Sequence, residues 1–103
     1  RRALWRLAGA DEIAPRGSRR LSAGERQIAV FRAEDGRLWA IEDRCPHRGA
    51  RLSNGSVYDN DKVACPDHGR TVCIADGKVA SPEQGSVATF AVKIEDGEVY
   101  VLA

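Results

Sequence analysis

The 103 residues carry 16 Lys and Arg against 15 Asp and Glu, a net charge of +1, so no electrostatic case exists for a nucleic-acid partner. That length predicts a single domain over residues 1–103, with 43% hydrophobic side chains and a core small enough to profit from a metal or other staple. The three cysteines are an odd number, which argues against a disulfide scaffold, and no apolar run of roughly eighteen residues is present to span a membrane. In chain order, residues 4–7 read as a strand and residues 8–13 as one turn of helix that Pro15 stops. Residues 27–32 and 37–41 are rich in β-branched and aromatic side chains and flank a turn ending in Asp35-Gly36. Short strands are expected at 56–58 and 62–64. Asp76-Gly77 separates residues 71–75 from 78–80, and Asp96-Gly97 separates 88–94 from 98–102. Three Asp-Gly turns predict an all-β class: a small antiparallel β-sandwich or barrel.

Charge is unevenly distributed. Residues 1–51 hold twelve Arg against seven acids, and residues 52–103 hold four Lys and Arg against eight. A mixed solvated surface accounts for most of this. Arg44, Arg48, Arg51 and Arg70 nevertheless cluster in sequence around the most informative segments, where they could form a basic collar that steers an acidic partner.

Those segments are Cys45-Pro46-His47-Arg48-Gly49-Ala50 and Cys65-Pro66-Asp67-His68-Gly69-Arg70. The first is C-x-H, the second C-x-x-H, with seventeen residues between His47 and Cys65, and they contain both histidines of the chain. Proline stiffens a loop and glycine permits tight turning, so both segments read as loops converging on one metal centre. Two thiolates and two imidazoles suit tetrahedral zinc, and they equally suit a two-iron, two-sulfide cluster with mixed ligands. Zinc fingers usually pair Cys with Cys and His with His, whereas here each arm carries one of each.

This pattern, with its flanking Pro and Gly, resembles the Rieske [2Fe–2S] family. The resemblance implies a small all-β fold with two cluster-binding loops at one tip. It implies Cys45 and Cys65 as ligands of the inner iron, and His47 and His68 as ligands of the outer one with free ring nitrogens facing outward. A turn around Pro82 would form a third loop over the cluster. High-potential members carry a disulfide between the two loops and a serine near the cluster sulfides; the corresponding residues here are Ala50, Asp67 and Arg70. Fewer donors to the sulfurs imply a low potential. Cys73 falls outside the ligand set and is expected to be a packing residue.

The implied function is one-electron transfer in a reducing, cytoplasmic setting. No flavin or nicotinamide fingerprint and no separate nucleophile–base pair occurs, so the chain is not expected to be catalytic alone. Within the family, residues 77–85, 91–101 and 10–17 look like the small subunit of assimilatory NAD(P)H nitrite reductase, whose partner is a large siroheme and flavin subunit. The alternative is the Rieske ferredoxin of aromatic-ring dioxygenases, served by a ferredoxin reductase and a terminal oxygenase. A second alternative is an interaction subunit whose metal is structural.

Overall fold

The computed structural model describes residues 3–46, 49–66, 69–80 and 85–103. Nine strands form among them: β1 (Leu4–Gly9), β2 (Ser18–Ala23), β3 (Arg26–Arg32), β4 (Leu38–Glu42), β5 (Ser56–Tyr58), β6 (Lys62–Ala64), β7 (Thr71–Cys73), β8 (Thr89–Glu95) and β9 (Glu98–Leu102). Six of them make an antiparallel sheet in the order β1-β9-β8-β4-β3-β2, and β5-β6-β7 make a second. Its end strands β1 and β2 lie beside one another, so the larger sheet nearly closes into a barrel. The all-β expectation is borne out. No helix among the described residues is long and apolar enough to cross a membrane.

Strand β3 organises the interior. Ile28, Ala29, Val30 and Phe31 are all fully buried, which a half-solvated strand would not allow. Ile28 and Val30 join Ile13, Ala40 and Val101 inside the barrel. Ala29 and Phe31 face the other way and pack with Ile41 against Val57, Val63 and Val72 of the small sheet. These three valines lie in adjacent register, Val57 opposite Val63 and Val63 opposite Val72.

Turn chemistry sets the registers. At Asp96-Gly97 both residues take positive φ, 52° and 77°, between the paired Glu95 and Glu98, as a two-residue type I′ turn requires. The other two Asp-Gly pairs work differently, because only the glycine is left-handed. Around Gly36 the loop is closed by Gly36 N–H to Ala33 C=O at 3.0 Å and Ala33 N–H to Arg37 C=O at 2.8 Å. The predicted strand 78–80 reduces to single bridges, Val72 opposite Val79 and Lys78 opposite Ser86. The expected helical turn is a 3-10 turn at Ala10–Glu12, where the Glu12 carboxylate accepts the Gly9 N–H at 2.7 Å.

Strand β2 was not expected from the sequence. Its Ser-Arg-Arg-Leu-Ser-Ala run has too few apolar residues to read as a strand, yet it pairs with β3 from Ser18–Phe31 to Ala23–Arg26. Gly24, with φ of 63°, starts the two-residue turn that joins them.

Candidate metal centre

Cys45 follows β4 of the larger sheet, and Cys65 follows β6 of the smaller one. Both are buried, at 2% and 3% exposure, in the same apolar cluster between the sheets. Neither forms a disulfide. The two sheets therefore deliver two thiols, from independent loops, to one core.

The loops share one backbone design. Cys45 N–H donates to Ala50 C=O at 2.8 Å, and Gly49 N–H returns to Cys45 C=O at 2.9 Å. Cys65 repeats this with Arg70 C=O at 2.7 Å and Gly69 N–H at 2.9 Å. Gly49 and Gly69 sit at φ of 73° and 71°, the left-handed conformation that closes the turn. Tying both backbone groups of each cysteine fixes the direction in which its side chain leaves the chain. Pro46 and Pro66 add stiffness at a position where no backbone N–H is used.

A third loop has the same design. Cys73 N–H donates to Lys78 C=O and Gly77 N–H to Cys73 C=O, both at 2.8 Å, and Gly77 has φ of 77°. Ile74 stands where the other loops have proline because its N–H is needed, donating to Asp61 C=O at 2.6 Å. All three cysteines thus begin a Cys-x-x-x-Gly turn, a repeat visible in the sequence. Cys73 is half-buried and lies outside the cluster holding the other two, so it is a turn residue more than the core packing residue expected. Asp76 in this loop is held below the usual carboxylate range, chiefly by the Lys78 N–H at 2.9 Å and to a smaller extent by the Cys73 thiol.

His47, Arg48, Asp67, His68 and the expected loop around Pro82 lie outside the described residues. Among the described residues, no group of three or more His, Cys, Asp and Glu gathers to hold a metal. The base of the Pro82 loop is nevertheless visible: Val79 N–H bonds Gly85 C=O at 3.0 Å. A Cβ on Gly85 would stand 3.1 Å from Pro46 Cβ, so this segment abuts the first loop. Buried paired cysteines in matched loops fit the sulfur half of a mixed-ligand iron–sulfur site.

One supporting group had no sequence signal. Asp43, two residues before Cys45, is buried and accepts both the Ser53 N–H at 2.8 Å and the Ser53 hydroxyl at 2.7 Å. Arg20 Nε approaches the oxygen that takes the Ser53 hydroxyl, Oδ2, at 3.5 Å, and the Ser18 hydroxyl donates to Ser53 C=O at 2.6 Å. These contacts tie β2 and the 3-10 turn at Leu52–Asn54 to the root of the first loop. A buried charge is tolerated because every side of it is met by a donor.

Comparison with known proteins agrees with this geometry. The Rieske [2Fe–2S] domain family model matches residues 4–91. The 3-phenylpropionate/cinnamic acid dioxygenase ferredoxin subunit of Photorhabdus laumondii is 35% identical, covering 88% of this chain and 86% of its own. A chain of the complex of reduced oxygenase and oxidized ferredoxin in carbazole 1,9a-dioxygenase is 35% identical, with a TM-score of 0.84 over 95% of this chain and 91% of that one. A Mycobacterium tuberculosis chain described as an NADH-dependent nitrite reductase small subunit superposes with a TM-score of 0.91 over 100% of this chain and 96% of its own. Its identity is only 22%, a likeness of fold alone. The sequence resemblance to nitrite reductase small subunits is therefore matched in fold, while similarity in sequence runs toward dioxygenase ferredoxins. The loops, the two-sheet core and the family match agree: the chain belongs to the Rieske [2Fe–2S] family, whose domains bind a [2Fe–2S] cluster.

Proposed function

We propose that this chain is a Rieske ferredoxin that delivers single electrons to the terminal oxygenase of an aromatic-ring dioxygenase, with Cys45, His47, Cys65 and His68 as cluster ligands. The observation that carries this reading is 35% identity to a dioxygenase ferredoxin subunit over 88% of the chain. The cluster, when bound, takes up and releases one electron. The chain's own contribution is to hold the two thiolates in a dry, fixed part of the core, with His47 and His68 proposed to complete the ligand set. The nitrite reductase reading stands second, resting on the sequence resemblance of residues 77–85, 91–101 and 10–17.

The brown, purified protein is expected to give a rhombic EPR signal on one-electron reduction. Stopped-flow mixing with the terminal oxygenase of 3-phenylpropionate dioxygenase should reoxidise it faster than mixing with a siroheme nitrite reductase large subunit. The opposite order of rates would reverse the two readings, and a colourless zinc protein would defeat both.

The potential follows from the loop residues. Ala50 is half-buried in the first loop and offers no sulfur for a bridge to the second, and Arg70 replaces a hydroxyl donor. The midpoint is expected below zero at neutral pH, in the lower part of the Rieske range of about −150 to +300 mV. Protein-film voltammetry checks this, and a positive midpoint contradicts it.

A further inference from the structure

Beside the first loop the barrel carries an open cavity of about 430 Å³, whose lining includes Arg20, Arg26, Asp43, Arg44, Gly49 and Arg51. We propose that this cavity docks an acidic polypeptide segment of the redox partner, a carboxylate entering among Arg26, Arg44 and Arg51. Only the identity of the occupant rests on the electron-transfer reading above.

The volume is ample for one or two side chains. Arg20 and Asp43 neutralise each other across 3.5 Å, and the Asp43 oxygens are further committed to Ser53. Arg26 lies with its guanidinium over the Phe90 ring, 5.7 Å from the centroid, which orients it without neutralising it. Arg44 and Arg51 are exposed, and among the described residues their side chains form no ion pair or hydrogen bond. Arg44 runs beside the first loop: its Nε would stand 3.6 Å from a Cβ on Gly49, ordinary van der Waals contact. Guanidinium groups match carboxylates with paired donors, and unlike lysine they shed water readily.

Glu25 and Glu42 also line the cavity. Glu42 is partly engaged by the Ala88 N–H at 3.4 Å. Three arginines against these two acids leave an excess of one positive charge, so the occupant is held reversibly. Reversible docking suits a one-electron shuttle, which must leave after each transfer. The site also lies beside Gly49, in the loop that begins with Cys45, so a docked partner sits close to the cluster end of the molecule.

The test uses the cluster-loaded, ¹⁵N-labelled protein titrated at low salt with a hexaglutamate peptide, with hexalysine as the contrast. Hexaglutamate is expected to shift the amides of Gln27 and Phe90. The Arg44→Glu/Arg51→Glu double variant should bind about tenfold more weakly, and Glu25→Gln more tightly. Lys93→Glu, a single charge reversal of the same kind on β8 outside the cavity, should bind as the parent does. If the double variant fails to load its cluster, Arg26→Glu serves in its place. Undiminished binding by the double variant, or by Arg26→Glu where it serves instead, or equal binding of hexalysine, overturns the proposal. Hexaglutamate binding by a protein that proves colourless would retain the cavity and remove the electron-transfer reading instead.

Discussion

Cys65→Ala is expected to yield a colourless protein with no rhombic EPR signal and iron close to zero, and Cys45→Ala the same. Each sulfur is buried in the shared cluster between the sheets, at 3% and 2% exposure respectively, where water cannot replace it as a ligand. Each sits at the start of a turn whose two backbone hydrogen bonds fix its direction. Loss of the staple should also weaken the fold, because metal binding free energy is folding free energy in a domain of this size. A loss of about 3 kcal/mol corresponds to roughly 15 °C in Tm, at ~4–8 °C per kcal/mol. Cys73→Ala is the internal contrast: it lies outside that cluster and should keep full iron and colour. Full iron in Cys65→Ala, or iron loss in Cys73→Ala, would remove the proposed ligand assignment.

What the sequence makes legible here is whatever depends on local chemistry. The Asp96-Gly97 hairpin is one case, since both residues take the left-handed φ that a two-residue turn demands. The Cys-Pro-x-x-Gly loops are another, because proline, glycine and cysteine each act on their own backbone or side chain. Strand β2 is illegible for the opposite reason. Ser18–Ala23 is a strand because β3 beside it needs a partner, not because its own residues prefer one. The Asp43 network is equally hidden, for Ser18, Arg20 and Ser53 come together only after the sheet closes. Subfamily lies between these extremes. The last hairpin and the segment around Pro82 look like a nitrite reductase subunit, yet features shared by one fold do not choose between redox partners.

Gly77→Ala is expected to unfold the protein or lower its Tm by more than about 15 °C, while Gly97→Ala lowers it by only about 5 °C. Both glycines have φ of 77°, so both substitutions carry the same left-handed penalty of about 1–2 kcal/mol. Their surroundings differ. A Cβ on Gly97 meets nothing within 4 Å, whereas on Gly77 it would stand 2.2 Å from the Val87 carbonyl oxygen and 3.0 Å from Thr89 Cγ2. The carbonyl cannot simply withdraw, because the same pair of residues is joined by the Val87 N–H to Gly77 C=O bond at 2.8 Å. Gly77 N–H is meanwhile held to Cys73 C=O at 2.8 Å, so the clash must open the third loop or the approach to β8. Overpacking of this kind costs typically ~1–3 kcal/mol or more beyond the backbone term. Thermal melts of the two variants separate the steric contribution from the conformational one, and equal shifts would contradict it. The same loop leads through Val79 to Gly85 against Pro46, so a partly folded Gly77→Ala protein should also load iron poorly, and Gly97→Ala should load it fully.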